Sequence, residues 1–202
     1  MNSEADNITA LYERHAKDWD TDRGTNLLEM SWLDRFLKRL PRAGSILDIG
    51  CGSGRPISRY LIEQGFEVTG VDSSPTLIDI CRGRFPIQRW IVADMRDLCL
   101  NTRFDGIIAW DSFFHLCPQD QRRMFPIFHD HSLRNAALLF TSGTTEGEAI
   151  GEFRGEPLYH GSLSTGEYRQ LLQQNGFEVN SHVEEDATCG FHTIWLAIAK
   201  CF

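Results

Sequence analysis

The chain has 202 residues, of which 42% are hydrophobic and 24% charged, and its formal net charge is −8. That length suits one well-packed α/β domain, and no apolar run approaches the roughly 18 residues that span a bilayer. The acidic balance disfavours a nucleic-acid phosphate backbone as partner, and the polar amino terminus MNSEADNITALYERHAKDWD is neither a secretory signal nor an Arg-rich transit peptide. The expectation is a cytoplasmic protein, monomeric or homodimeric, that acts on a small molecule and uses neither nucleic acid nor membrane. Cys51, Cys81, Cys99, Cys117, Cys189 and Cys201 are scattered without a CxxC pair, so they read as free thiols packed as small apolar side chains.

Two helices lead in. Residues 5–18 place Ile8, Leu11, Tyr12 and His15 on one stripe, and residues 27–40 do the same with Leu28, Trp32, Leu33, Phe36 and Leu37 before Pro41 stops them. Strand and helix then alternate: SILDI is a buried strand, residues 56–64 a helix ending at Gly65, and FEVTGVD the next strand. Ser74 reads as a helix cap with Pro75 in the first helical position, where its missing N–H costs nothing. After the helix TLIDICRGRF come the strands QRWIVAD and FDGIIAW, a helix opened by Pro118 and broken near Pro126, and the strand AALLFTS. Residues 141–163 lack helical or strand periodicity and carry five glycines, as a mobile active-site lid or hairpin would. Ser164-x-x-Glu167 is a capping box that opens the last helix, which ends at Gly176. FEVNSHVEED and GFHTIWLAIAK follow with no helix between them and therefore pair as a hairpin.

Repeated β-α units imply an α/β fold, a mostly parallel sheet with helices on both faces, to which the final hairpin adds an antiparallel strand. Ligands of such sheets bind outside the carboxyl ends of the strands. No repeat or linker divides the chain, so residues 1–202 read as a single domain: a helical lead-in or cap over 1–40, a core over 45–200 and the candidate lid at 143–163.

The turn ILDIGCGSGRP carries Gly50, Gly52 and Gly54 in the spacing GxGxG, with Arg55 where a dinucleotide-binding turn has its third glycine. No Lys-Ser/Thr follows, which excludes a phosphate-gripping P-loop. Asp48 stands beside the turn; a pyrophosphate would be repelled by it, whereas a ligand with an ammonium group and no phosphate would be attracted.

The stretch D-x-G-x-G-x-G at the end of a first strand resembles motif I of the class I S-adenosylmethionine-dependent methyltransferases, and the similarity covers roughly residues 45–200. The resemblance implies a Rossmann-like methyltransferase fold with a seven-stranded sheet and S-adenosyl-L-methionine as cofactor. VTGVDSSP is similar to the family's second-strand segment, which implies that Asp72, followed by Ser73, accepts hydrogen bonds from the ribose hydroxyls. IVADMRDL is similar to its third-strand segment, with Asp94 for the adenine amino group and the Met95 N–H beside it. FDGIIAWDSFFHL is similar to its fourth-strand segment, so Trp110 and Asp111 fall beside the methionine moiety and the transfer site. Cys51 contributes its backbone to the turn. Trp19 and Arg23 in the lead-in are candidates to pack on the cofactor or grip its carboxylate, together with Tyr12.

Methyl transfer from a sulfonium is an in-line displacement in which the protein mainly aligns the reactants and excludes water. A hydroxyl or protonated amine as nucleophile also needs a base, for which His115 is the first candidate and Asp111 the second. Tyr159 and His160 near the end of the lid are further candidates to face the substrate, Phe113 and Phe114 to form an apolar wall, and Asp186 to Gly190 to frame the pocket. His129, His131, His182, Cys189 and His192 share no ligand spacing, so no metal is expected. The functional reading is a methyltransferase acting on an O, N or S atom of a small molecule; the alternative is a non-catalytic S-adenosylmethionine-binding regulatory protein. The absence of an Asn/Asp-Pro-Pro-Tyr/Phe sequence after the fourth strand, where WDSF stands, lowers DNA adenine and protein glutamine as acceptors.

Overall fold

Apolar residues alternate across the central strands, so both faces of the sheet must be covered. The computed structural model describes residues 3–200; Cys201 lies outside them. Strands β1 (Ser45–Ile49), β2 (Glu67–Asp72), β3 (Arg89–Val92), β4 (Phe104–Ala109) and β5 (Ser132–Ser142) are parallel. Two further strands form the hairpin β6 (Gly147–Phe153) and β7 (Glu156–Ser162), and the chain closes with β8 (Phe177–Asp186) and β9 (His192–Ala199). The main sheet has seven strands in the order β3-β2-β1-β4-β5-β9-β8, with β9 antiparallel to both neighbours.

The helices are α1 (Ser3–Arg14), α2 (Ala16–Arg23), α3 (Met30–Leu37), α4 (Ile57–Glu63), α5 (Pro75–Arg84), α6 (Pro118–Asp130) and α7 (Thr165–Gln174). Leu47, Ile107 and Phe140 point to the face covered by Phe125 and Phe128 of α6 and Tyr168 of α7. Ile46, Ile108 and Leu139 point to the opposite face, under Trp32 and Phe36 of α3, Leu61 of α4 and Ile78 of α5. The caps are where the sequence puts them: Ser74 accepts from the Leu77 N–H at 3.1 Å and Ser164 from the Glu167 N–H at 3.2 Å.

Two elements differ from the sequence expectation, and a third settles between two alternatives. The first lead-in helix divides at His15 into α1 and α2. The helix expected to break near Pro126 runs on to Asp130; an interior proline costs about 3 kcal/mol, but Met124, Phe125 and Phe128 are all 0% exposed, and burial of each contributes about 1.5–3 kcal/mol. The glycine-rich segment after β5, expected to be a mobile lid or a hairpin, is a β-hairpin. Its turn residues, Arg154 and Gly155, take φ of 55° and 80°, the left-handed pair that matches strand twist in a tight hairpin. The hairpin packs on α1 through Tyr159, Ile8 and Leu11. Ion pairs join Glu156 to Arg14 and His15, and Arg154 to Asp22.

Candidate functional site

A cavity lies at the carboxyl ends of β1 to β4, with α1 and Trp19 of α2 on its outer side. Gly50 and Cys51 each donate their N–H to the Val71 carbonyl, at 2.8 and 3.0 Å, which pins the start of the turn to the neighbouring strand. Gly50 and Gly52 have φ of 75° and 55°, a region that costs a residue with a side chain about 1–2 kcal/mol. Space imposes the same choice, because a Cβ at Gly50 would stand 2.2 Å from Ser112 Cβ and one at Gly52 2.4 Å from the Trp19 ring.

Asp72 ends β2. Its Oδ2 accepts from the Gly52 N–H and its Oδ1 from the Ser74 N–H, both at 2.9 Å. Burial raises its carboxyl above the usual range, against the lowering pull of these bonds. The Ser73 N–H adds a third backbone bond to this carboxylate, which lines the cavity. Asp94, after β3, accepts from the Arg96 N–H at 2.9 Å and holds the Arg96 guanidinium, with Nη2 2.6 Å from Oδ2. Burial pulls the Asp94 carboxyl upward, but the Arg96 hydrogen bonds win and hold it below its ordinary value. Arg96 Nη1 also lies 3.4 Å from Asp120 Oδ2 and 3.8 Å from Asp6 Oδ1.

On the far side of the cavity, the Tyr12 hydroxyl donates to His115 Nε2 at 2.9 Å. His115 Nδ1 lies 2.8 Å from the Tyr159 carbonyl oxygen, which can only accept, so Nδ1 carries the proton and Nε2 the lone pair. Burial pushes the His115 pKa down to about 4, leaving a neutral imidazole at neutral pH. Burial, then the Asp111 and Asp72 carboxylates, raise the Tyr12 hydroxyl and keep it protonated. Asp111 takes a left-handed φ of 47°, and its N–H donates to Thr141 Oγ1 at 2.9 Å.

The cavity therefore gathers Gly50, Gly52, Asp72, Ser73, Asp94, Met95, Asp111, His115 and Trp19 from four strand ends and α2. Other candidates sit behind its wall. Asp48, 3% exposed, accepts from the Ser58 hydroxyl, and burial pushes it up to about 7. Cys51 and Trp110 belong to the α3–α5 core layer, and Gly54 packs against Phe85 and Cys81. Arg23 is committed to Glu29 and to the Asn26 carbonyl. The Tyr159 ring is buried against α1 while its carbonyl does the orienting. The His160 ring packs at a tilt against His115 and Phe114, at 4.9 and 5.4 Å between centroids. Phe113 is core and 0% exposed. Among the described residues, no group of three or more His, Cys, Asp or Glu side chains is placed to hold a metal ion, and no helix is long and apolar enough to cross a membrane. Sequence reasoning missed Arg96, whose only signal is its position two residues after Asp94, and the pairing of Tyr12 with His115.

Residues 46–132, which contain the turn, Asp72, Asp94 and His115, match the model of a methyltransferase domain. Over this stretch the chain is similar to methyltransferase domains. The chain is 33% identical over 103 residues to a dTDP-4-amino-2,3,4,6-tetradeoxy-D-glucose N,N-dimethyltransferase of Saccharopolyspora spinosa, covering 51% of this chain and 39% of that one. It is 33% identical over 114 residues to a magnesium-protoporphyrin O-methyltransferase of Rhodobacter capsulatus, covering 52% and 49%. The chain thus spans less than half the length of these curated relatives. The fold is similar to that of the 1,6-didemethyltoxoflavin-N1-methyltransferase of Burkholderia thailandensis, with a TM-score of 0.74 at 18% identity over 98% of this chain and 89% of that one.

Proposed function

We propose that the protein is an S-adenosylmethionine-dependent methyltransferase that transfers a methyl group to a small-molecule acceptor. The observation that carries this reading is the single cavity that joins the glycine turn, Asp72 and Asp94–Met95 to Asp111 and the Tyr12–His115 pair. The residues fit the cofactor. A side chain at Gly50 or Gly52 would fill the cradle, the Asp72 carboxylate on the cavity wall suits the ribose hydroxyls, and Asp94 with the Met95 N–H suits an adenine edge. Arg96 shares Asp94 with that edge and has Asp120 and Asp6 as other partners.

When bound, the cofactor supplies an electrophilic methyl group on a sulfonium that is already a good leaving group. The protein aligns and desolvates. Tyr12 and Trp19 close the outer wall, and the Asp111 carboxylate on the cavity wall would add negative potential favourable to a cationic ligand. The Tyr12–His115 pair offers the acceptor a hydrogen-bond relay: an acceptor O–H or N–H donates to the Tyr12 oxygen while Tyr12 donates to Nε2. With a pKa near 4, His115 orients the nucleophile and receives a proton once methylation has made that proton strongly acidic. The α1–α2 segment and the β6–β7 hairpin act as the cover, clasped by the ion pairs of Glu156 and Arg154.

Isothermal titration with S-adenosylmethionine and its demethylated product, followed by a methyl-release assay on a panel of amines, hydroxyls and thiols, tests the reading. Saturable binding and turnover on one acceptor class are expected. Saturable NAD binding with no affinity for S-adenosylmethionine overturns it, and cofactor binding without turnover on any acceptor points to a regulatory protein.

A further inference from the structure

The turn between β8 and β9 delivers His192 to Asp111, 81 positions away in the chain. His192 Nε2 lies 2.9 Å from Asp111 Oδ1 and 3.1 Å from Oδ2, while Nδ1 lies 2.6 Å from the Cys189 carbonyl oxygen. The carbonyl only accepts, so Nδ1 carries a proton. A second proton must then lie between Nε2 and the carboxylate, or two lone-pair-bearing atoms would face each other. Imidazole is the stronger base by more than two pKa units, so that proton resides on nitrogen and His192 is an imidazolium.

The surroundings agree. The Trp110 ring is 5.4 Å from the His192 ring between centroids, with 35° between planes, within reach of cation–π attraction. The hydrogen bond to Asp111 raises the pKa of His192 against the lowering effect of burial, and the Glu29 carboxylate adds to the rise. Glu29 is paired with Arg23. The nearby Cys189 thiol is pushed up to about 11 by burial and stays uncharged. Asp186 is committed to the Thr188 N–H at 2.9 Å and to Trp32 Nε1 at 2.8 Å, which anchors the turn.

Asp111 needs such support. Its left-handed backbone is sparsely populated by residues with side chains, and its carboxylate forms part of the cavity wall. We propose that His192 is a positioning residue: as an imidazolium held between the Asp111 carboxylate and the Cys189 carbonyl, it fixes Asp111 against the methyl-transfer cavity. The effect on turnover rests on the methyltransferase reading; the charge on His192 does not.

Two measurements separate these claims. Long-range proton–nitrogen NMR of the 15N-labelled full chain reads the charge of His192 without methyl donor or acceptor. The expected result is two protonated ring nitrogens at pH 7 and a titration midpoint above the ordinary value of about 6.5, lowered by Asp111→Asn. A neutral ring at pH 7, or a midpoint that Asp111→Asn leaves in place, overturns the proposal even if a His192 variant fails to fold. In the methyl-release assay, His192→Gln is expected to lose about 10- to 100-fold in kcat/KM, and His192→Lys, which keeps a cation, to recover part of the loss. An unchanged kcat/KM in His192→Gln overturns the positioning role. Absence of S-adenosylmethionine binding by the wild type, with the imidazolium signature intact, sinks the methyltransferase reading alone.

Discussion

The two halves of the cavity are built differently. The half proposed for the cofactor is made of short segments at strand ends, and its contacts are donated by main-chain N–H groups: Gly50 and Cys51 to the Val71 carbonyl, and Gly52 and Ser74 to the Asp72 carboxylate. The half proposed for the acceptor is made of side chains brought from far apart, with Tyr12 and His115 103 positions apart and His115 and the Tyr159 carbonyl 44 apart. Backbone cradles constrain local residue types, so they leave a readable pattern. Side-chain constellations constrain only the packing of whole elements, so they leave almost none.

This contrast is open to test by substitution, and the largest effect is expected in the cofactor half. Gly50→Ala places a methyl group against Ser112 in a left-handed backbone; S-adenosylmethionine affinity is expected to fall by at least about 100-fold, roughly 3 kcal/mol from overpacking and strain. Retained affinity in calorimetry would break the idea of a backbone cradle.

Asp48→Asn probes the layer behind that cradle. The Asp48 pKa is raised by burial from 3.8 to about 7, so its contribution to stability is fully present below pH 3.8 and is lost as pH rises through 7. Asn keeps an acceptor for Ser58 without the charge. Urea unfolding is therefore expected to show the variant gaining stability over wild type between pH 5 and pH 9, on the order of 3 kcal/mol. Equal stability at pH 9 would place the carboxylate in a wetter site than its burial implies.

Tyr12→Phe removes the hydroxyl that donates to His115. It is expected to lower kcat by about 10- to 100-fold and to change cofactor affinity little, which steady-state kinetics and calorimetry together would read. A loss confined to cofactor binding would merge the two halves. The smallest effect is expected from Arg96→Ala. Freeing the Asp94 carboxylate from its guanidinium partner is expected to tighten S-adenosylmethionine binding by up to about tenfold, the worth of one charge-assisted hydrogen bond. Weaker binding would instead make Arg96 a direct ligand.

How much could be read from the sequence follows the same division. The order of strands and helices, the Ser74 and Ser164 caps and the carboxyl-end location of the site came from periodicity and cap chemistry, which act within a few residues. Gly50, Gly52, Asp72, Asp94 and Met95 were legible because each sits at a fixed place after its strand. Asp48 was legible as an acid but not as one turned toward Ser58, since the side of the turn on which a carboxylate packs depends on α4. Arg23 read as a candidate grip for the cofactor's carboxylate; only the fold set it against Glu29.

By itself, then, the sequence determined the parallel sheet, the likeness to methyltransferase domains and the strand-end residues proposed to cradle a nucleoside, because those depend on local backbone geometry. The tertiary structure alone decided that Tyr12 meets His115, that Arg96 shares Asp94, and that a histidine from the last hairpin reaches Asp111. Those contacts depend on how α1, the β6–β7 hairpin and the β8–β9 turn dock over the sheet, and no spacing along the chain records that docking.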